Sequence, residues 1–247
     1  DFKMLSKIQK PIVWTLRDMW PFTGGCHYAG NCENYKNSCG RCPMLGSSSK
    51  YDLSKYIFQR KKKYYKDNIH AVAISNWMKT CAQESKLFNN TEVIHNCLDP
   101  EKFSSISKKT ARETLGLSID SKVVLIGAIN ILDNKTKGFD KFIEAVKLLD
   151  DDIQYLFFGS HMSDHENFKN KKIKSLGFIN DDITLKIVYS AADVFVAPSI
   201  QEAFGKMIIE SMACETPVVA FDATGPKDII THKVDGYLAE AYESSDL

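Results

Sequence analysis

Two acidic residues, Glu202 and Glu210, are separated by seven positions at the junction between an apolar segment and an amphipathic one. Carboxylates on either side of a ligand could hold its hydroxyl groups, which donate hydrogen bonds. Gly205 lies between them, where the free backbone N–H groups of a helix N-terminus would attract an anion such as phosphate. The three residues therefore indicate a ligand that carries both hydroxyl groups and phosphate.

The elements around these residues follow from hydrophobic periodicity. Residues 193–198 are a short apolar run, rich in β-branched and aromatic residues and closed by proline, which predicts a buried strand. Apolar residues then recur at three-and-four spacing, so a helix is predicted to begin near Ala203 or Phe204. Glu202 would precede this helix and Glu210 would lie about two turns into it. Open α/β sheets bind ligands at such junctions.

Residues 193–221, with the paired glutamates and a following Pro-Val-Val-Ala strand, resemble the donor-binding motif of retaining glycosyltransferases of family 4, which have the GT-B fold. The resemblance implies that Glu210 holds the ribose of a nucleotide sugar and that Glu202 approaches the transferred sugar. It also implies that backbone amides contact the sugar and phosphate. The residues implied in those contacts are Ala203, Phe204 and Gly205. Two solvated acids on a surface helix are the alternative interpretation.

A second segment carries cations after the strand predicted for residues 123–127. Residues 127–130 read Gly-Ala-Ile-Asn, and two lysines precede the next predicted helix. In the resembled family this loop presents an arginine and a lysine to the donor diphosphate. Lys137 matches the lysine, and Lys135 is the nearby cation that could replace the arginine. A lysine ammonium is a point charge, whereas an arginine guanidinium can donate two parallel hydrogen bonds to a phosphate. Loop lysines that only favour solubility are the alternative.

Two further segments, residues 158–160 and 177–179, occupy positions at which the backbone of the resembled family approaches the nucleotide. Gly159 and Phe178 are the candidate contacts in these segments. A plain turn accounts for the glycine in each segment equally well.

Residues 15–18 read Thr-Leu-Arg-Asp and end the strand predicted for residues 11–16. They resemble the Thr-Leu-His-Asp stretch of bacterial polysaccharide glycosyltransferases, whose histidine faces the donor sugar. The resemblance implies that Arg17 and Asp18 are catalytic together with Glu202. Arginine cannot accept a proton and is bulkier than imidazole. Two hypotheses follow: Arg17 acts electrostatically, or the protein is a catalytically silent nucleotide-sugar-binding or scaffold subunit.

Four of the seven cysteines lie close together: Cys26, Cys32, Cys39 and Cys42. The last two are separated by two residues, one of them glycine, which is the compact knuckle that tetrahedral zinc prefers. Structural zinc is the preferred interpretation, and disulfides and free thiols are the alternatives. Four cysteine ligands would leave no position for water, so the metal would brace a loop. His27 is interpreted as a surface residue.

Composition is that of an ordinary globular protein: 247 residues, 44% hydrophobic, 26% charged, with a formal net charge of +1. Near-neutral charge disfavours a nucleic-acid binder. No apolar run is long enough to cross a bilayer, and the N-terminus lacks a signal-peptide pattern. We expect a cytoplasmic protein. Peripheral contact with the inner face of the membrane, through the basic residues 60–63, is the minority interpretation.

Strands and helices alternate along the chain, which predicts an α/β architecture with parallel sheets. A polar linker divides it into residues 1–98, a partial acceptor-side Rossmann-like domain with the cysteine-rich loop, and residues 99–247, a donor-binding domain. Relative to the resembled family, the first domain is expected to be incomplete at its N-terminus. Strands are predicted at residues 11–16, 71–75, 92–95, 123–127, 153–158, 193–198 and 217–221, and helices at 53–66, 76–88 and 139–149.

Taken together, the resemblance implies a metal-independent retaining glycosyltransferase that works in polysaccharide biosynthesis, for a capsule or a lipopolysaccharide. Its donor would be a nucleotide diphosphate sugar, and its acceptor a carbohydrate or a lipid-linked glycan. A phosphorylase of related architecture is disfavoured, because nothing in the chain resembles a pyridoxal-phosphate lysine site.

Overall fold

The computed structural model describes residues 1–127, 134–159, 168 and 171–247. The chain divides into two units, Asp1–Asn96 and Cys97–Leu247. The boundary predicted from the sequence, between residues 98 and 99, lies beside this division.

The first unit contains a three-stranded parallel sheet with the order β1-β2-β3. Its strands are β1 (Ile12–Leu16), β2 (Ile69–Ala73) and β3 (Thr91–Val93), and its helices are α1 (Phe2–Leu5), α2 (Leu53–Tyr64) and α3 (Asn76–Glu84). Asp52 caps α2 and Ser75 caps α3, because each side chain accepts a hydrogen bond from a first-turn N–H group. The long connection from β1 to α2 carries the cysteine loop.

The second unit contains a six-stranded parallel sheet with the order β6-β5-β4-β7-β8-β9. Its strands are β4 (Val123–Gly127), β5 (Gln154–Phe158), β6 (Lys172–Ser175), β7 (Val194–Ala197), β8 (Val218–Phe221) and β9 (Gly236–Ala239), and its helices are α4 (Lys108–Thr114), α5 (Phe139–Val146), α6 (Asp182–Ala191) and α7 (Lys206–Ala213). This is the doubly wound Rossmann order, in which the direction of winding reverses between the two central strands. The reversal lies between β4 and β7.

The central strands of this sheet are apolar on both faces. Leu125 belongs to one buried cluster, together with Tyr189 and Phe195. The next residue, Ile126, belongs to a second cluster that includes Phe142. Neighbouring strand residues point to opposite faces, so the two clusters cover the two sides of the sheet. A double-sided core of this kind fixes the positions of the strand ends.

The apolar strands of the second unit were predicted within a residue or two, whereas β2 begins earlier than predicted, at Ile69. The predicted start of the helix near Ala203 or Phe204 is wrong, because α7 begins at Lys206. Gly205 precedes it with φ 108° and ψ 64°, a left-handed conformation that cannot continue a right-handed helix. Glu210 therefore lies just over one turn into α7.

In the part of the chain that the structure describes, no helix has the length and apolar character required to cross a membrane.

Candidate functional site

A cavity of about 160 Å³ lies at the carboxyl ends of β4 and β7. Gly127, the last residue of β4, lines one side, and the start of α7 at Gly205 lines another. The polar lining includes Lys137, Glu202 and Lys206. Since the strand order reverses between β4 and β7, the cavity occupies the place where doubly wound sheets bind ligands.

Lys137 and Glu202 form an ion pair inside this cavity. The lysine Nζ donates to Glu202 Oε2 at 3.0 Å. Their side chains are 23% and 19% exposed, so the pair is screened less by solvent than a surface pair would be. The structure therefore brings these two sequence-predicted residues together, and their role in binding a donor stays a prediction.

Two backbone contacts hold the lysine loop against the glutamate loop. The carbonyl of Thr136 accepts from the N–H groups of Ile200, at 2.8 Å, and Gln201, at 3.3 Å. Gly138 lies so close to Pro198 that a Cβ atom on the glycine would stand 1.8 Å from the proline carbonyl oxygen. A residue with a side chain would separate the two loops, and with them the ion pair.

A third loop, after β8, holds Glu202 from the other side. The Glu202 N–H donates to Thr224 Oγ1 at 3.2 Å, and the Gly225 N–H donates to the Glu202 carbonyl at 2.9 Å. Thr224 has φ 53° and ψ −140°, a conformation that non-glycine residues seldom adopt. The backbone at Glu202 is thus fixed by loops from both neighbouring strands.

The N-terminus of α7 carries no side-chain cap, because its N-cap residue is Gly205. The side chains of the preceding Ala203 and Phe204 are buried, at 3% and 4% exposure, so these residues can offer only backbone to a ligand. An uncapped N-terminus with the positive end of a helix dipole favours an anion. The geometry suits a phosphate group.

Glu210 is buried on α7, with 5% of its surface exposed. Tyr189 donates its hydroxyl to Glu210 Oε2 at 3.0 Å, and Lys206 Nζ lies 3.4 Å from Oε1. Burial raises the pKa of Glu210, although both contacts oppose the shift. Burial also raises the pKa of Tyr189 well above its ordinary value, so this residue remains a neutral donor.

The second cation of the cavity is a residue that sequence reasoning missed. Lys135 is exposed and does not line the cavity, whereas Lys206, the first residue of α7, does. Lys206 pairs with Glu210 four residues later. That spacing is visible in the sequence and typical of helical ion pairs. The spacing does not show, however, that Lys206 lines the cavity, because that depends on how α7 meets the ends of the strands.

The segments that carry Gly159 and Phe178 are neighbours in the structure, but neither residue lines this cavity. The Gly159 N–H donates to the Gly177 carbonyl at 2.7 Å, which joins the ends of β5 and β6. The Phe178 side chain is 58% exposed. The adjoining residues 128–130 and 160, which belong to two predicted motifs, lie outside the described residues.

Arg17 and Asp18 follow β1 in the first unit, and Arg17 is exposed. Asp18 Oδ1 accepts from the Trp20 N–H at 2.8 Å, and Oδ2 pairs with His27 Nδ1 at 2.8 Å. Because the His27 side chain is 72% exposed, it is a surface residue, as the sequence analysis predicts.

The four clustered cysteines line a second, smaller cavity together with Thr23 and Gly24; they are Cys26, Cys32, Cys39 and Cys42. All four are reduced. Burial raises the pKa of Cys39 to about 11 and also raises that of Cys26, so both are thiols at neutral pH when metal is absent. Among the described residues, no three His, Cys, Asp or Glu side chains already stand in metal-ligand geometry.

Comparison with known proteins gives matches over both units. The family model described as glycosyl transferases group 1 matches residues 115–247. An uncharacterized glycosyltransferase of Methanocaldococcus jannaschii is 31% identical over 220 residues, which cover 82% of this chain and 54% of that protein. The putative colanic acid biosynthesis glycosyl transferase WcaC of Escherichia coli is 22% identical over 228 residues, covering 89% and 54%. The chain spans about half the length of these relatives.

Among solved structures, Anabaena HepE in complex with UDP superposes with a TM-score of 0.70 at 20% identity. The match covers 96% of this chain and 60% of HepE. At this identity the likeness concerns the fold alone, and it confirms the GT-B fold class predicted from the sequence.

Proposed function

Because the chain belongs to the glycosyl transferases group 1 family, we propose that the protein is a retaining glycosyltransferase. It moves a sugar from a nucleotide diphosphate sugar to a carbohydrate or lipid-linked acceptor, without a catalytic metal. The observation that carries the proposal is the Lys137–Glu202 pair beside the uncapped N-terminus of α7, in the cavity at the reversal of the strand order. Residues 99–247 would bind the donor and residues 1–98 the acceptor.

The donor diphosphate would lie between two lysines and the helix. Lys137 and Lys206 both line the cavity, and the first-turn N–H groups of α7 add partial positive charge. A cavity of about 160 Å³ is smaller than the roughly 300 Å³ at the low end of ligand pockets. It would therefore hold the diphosphate region of the donor rather than the whole molecule.

The Lys137–Glu202 pair would exchange partners when the donor binds. A phosphate oxygen competes with Glu202 for the lysine ammonium, because charge-assisted hydrogen bonds to phosphate and to carboxylate are of similar strength. Glu202 can then accept hydrogen bonds from hydroxyl groups of the sugar to be transferred. The ion pair thus keeps both groups in place before the donor arrives.

Transfer requires the bond between the sugar and the diphosphate to break, with its electron pair remaining on the phosphate oxygen. Negative charge therefore grows on the diphosphate in the transition state. Lys137, Lys206 and the α7 N–H groups are fixed beside the position where this charge develops, and fixed donors of this kind are an effective source of catalysis.

Glu210 would hold the ribose hydroxyl groups through its carboxylate. Tyr189 and Lys206 orient that carboxylate, one on each oxygen. The Anabaena protein HepE was solved with UDP, so UDP and UDP-sugars are the first donors to test. WcaC is named for colanic acid biosynthesis, which supports a glycan acceptor in polysaccharide synthesis.

Arg17 supports a second candidate function, a catalytically silent subunit that binds nucleotide sugars. An arginine stands where the resembled enzymes carry histidine, and it cannot act as a base. If the protein is active as it stands, Arg17 acts as a fixed charge and Arg17→His lowers the rate. If catalysis has been lost, the same substitution restores turnover.

The test is an assay of transfer and hydrolysis with a panel of nucleotide sugars, beginning with those that raise the melting temperature. The expected result is transfer with retention of the anomeric configuration, read by NMR of the product, and a large loss in Glu202→Ala. Lys135→Ala serves as the matched control, because this lysine lies outside the cavity. Absence of transfer and hydrolysis on every donor that the protein binds would favour the silent subunit.

A further inference from the structure

The cysteine loop in the first unit and a buried lysine on α2 together indicate a metal site. We propose that Cys26, Cys32, Cys39 and Cys42 bind one structural zinc ion, and that the Lys61 ammonium balances the negative charge of that site. The proposal does not depend on the proposed transferase activity.

The chain gathers all four sulfur atoms around a single cavity. The Gly24 N–H donates to Cys39 Sγ at 3.2 Å, the kind of amide contact that stabilises a metal-bound thiolate. Cys26 and Cys42 are joined by a side-chain hydrogen bond. Among the described residues, no three of these side chains are arranged so that they could hold a metal ion, so metal loading requires the cysteines to move.

The turn that carries Cys39 and Cys42 is held in an unusual backbone conformation. Ser38, Cys39, Gly40 and Arg41 have φ values of 70°, 57°, 97° and 50°, although only one of them is glycine. Side chains at the N-terminus of α2 fix the turn: Ser54 Oγ accepts from Gly40 N at 3.0 Å, and Asp52 Oδ2 accepts from Cys42 N at 2.8 Å. The knuckle is therefore formed before any metal arrives.

The burial of Lys61 supports the site independently of the cysteine geometry. Its side chain is fully buried, and its ammonium donates to the carbonyl of Trp20 and, at 3.0 Å, to that of Thr23. In the described part of the chain, no carboxylate lies within ion-pair distance of it. Asp18 acts on it only from farther away, and that carboxylate is shared with His27. A buried ammonium without a counter-charge is costly.

The cysteines are the anionic groups placed to supply this charge. Short contacts link Lys61 to the cysteines: its ammonium donates to the Thr23 carbonyl at 3.0 Å, and the Thr23 hydroxyl donates to the Cys26 carbonyl at 2.8 Å. The next residue, Gly24, donates its N–H to Cys39 Sγ at 3.2 Å. Zinc displaces the protons of four thiols, and four thiolates around Zn²⁺ carry a net charge of −2. Neither disulfides nor protonated thiols would carry any charge toward Lys61.

Metal analysis of the protein, purified under reducing conditions without added metal, tests the first half of the proposal. We expect about one equivalent of zinc per chain. Cobalt substitution should give the charge-transfer and d–d bands of a tetrahedral tetrathiolate. Cys42→Ser should lose the metal, whereas Cys97→Ser, which removes an exposed cysteine elsewhere, should retain it. Metal-free protein with four free thiols, or a mass that shows disulfides, would overturn the zinc site.

Lys61→Met tests the charge balance, because the two states of the cysteines predict opposite signs. Beside a zinc tetrathiolate, the substitution leaves a buried negative charge unbalanced and lowers the melting temperature. Beside neutral thiols, it removes an unbalanced ammonium and leaves the melting temperature unchanged or raises it. Lys62→Met, at an exposed position of the same helix, is the matched control. A zinc-loaded Lys61→Met protein as stable as wild type would overturn the role of Lys61.

Discussion

Buried charge is balanced differently in the cavity at the ends of β4 and β7 and in the region of the cysteine loop. In the cavity, each lining lysine is paired with a carboxylate: Lys137 with Glu202, and Lys206 with Glu210. In the cysteine loop, Lys61 is buried against backbone carbonyls and an aromatic ring, with Nζ 4.0 Å from the Trp20 centroid. In the cavity each lysine already has a carboxylate partner, so a phosphate ligand must take the place of that carboxylate. The charge of Lys61 is balanced only by a group that the chain must acquire.

The two regions also differ in how they are held. The cavity stands on the ends of three neighbouring strands, whose loops are hydrogen-bonded to one another through Thr136 and Glu202. The cysteine loop belongs to the long connection between β1 and α2, and it is tied to α2 through Asp52 and Ser54. Binding should therefore change the cavity little, whereas loss of the proposed metal should loosen the loop.

Glu210→Ala is expected to have the largest effect on UDP binding; Glu210 pairs with the cavity residue Lys206 but does not itself line the cavity. A charge-assisted hydrogen bond contributes about 1.5–3 kcal/mol, so the affinity for UDP should fall by about 13- to 160-fold. Titration calorimetry measures the affinity for UDP, and Glu215→Ala, at an exposed position after α7, is the control. Unchanged affinity in a folded Glu210→Ala protein would remove Glu210 from the nucleotide site.

Gly138→Ala tests whether loop contacts hold the Lys137–Glu202 pair. The new Cβ would collide with the Pro198 carbonyl, and a non-glycine residue at φ 64° is itself strained by about 1–3 kcal/mol. The control is Gly46→Ala, which has φ 59° but no atom within 4 Å of the new Cβ. Denaturant unfolding should show the greater loss for Gly138→Ala. Equal losses would mean that the close approach contributes nothing.

Lys206→Ala should weaken UDP binding by about tenfold, equivalent to about 1.4 kcal/mol, because it removes one of two cations from the cavity. Binding of uridine, which has no phosphate, should change less. Lys135→Ala should leave both affinities unchanged. If Lys135→Ala has the larger effect on UDP, the cation first inferred from the sequence is the diphosphate ligand, and Lys206 is not.

The smallest effect concerns pH. Burial raises the pKa of Glu210, so its carboxylate is protonated on acidification at a higher pH than the ordinary value of about 4.3. A raised carboxyl pKa costs stability of the free protein. This cost is fully present above the folded pKa, declines as the pH falls from the folded pKa toward the unfolded pKa, and is absent below the unfolded pKa. UDP affinity should decline over the same interval. In a calorimetric pH series, UDP affinity should fall less with acidification in Glu210→Gln than in the wild type. An equal fall in both proteins would mean that another group causes the pH dependence.

Much of the second unit could be predicted because its central strands are continuous apolar runs. β4, β5, β7 and β8 were found in this way, whereas the edge strands β6 and β9 were missed. β6 reads Lys-Ile-Lys-Ser, and β9 has only three apolar residues after its glycine, so neither forms a long apolar run. Periodicity detects burial on both faces, and an edge strand lacks it.

The site could be predicted in its residues but not in its pairings. The spacing of the glutamates indicated Glu202 and Glu210, yet the contact between Lys137 and Glu202 depends on the approach of Gly138 to Pro198, residues far apart in the chain. That Lys206 lines the cavity likewise depends on how α7 meets the strand ends, which residue spacing alone does not show. Sequence periodicity shows where helices and strands form, whereas the Lys137–Glu202 contact depends on how the sheet brings distant loops together.

A crystal structure of the protein with UDP is the most direct test of the central claim, that the cavity at the reversal between β4 and β7 binds a nucleoside diphosphate. The account predicts the diphosphate at the N-terminus of α7, in contact with Lys137 and Lys206, and the ribose hydroxyl groups on Glu210. The Lys137–Glu202 distance, 3.0 Å without ligand, should lengthen. UDP bound elsewhere on the chain, with this ion pair intact, would contradict the account.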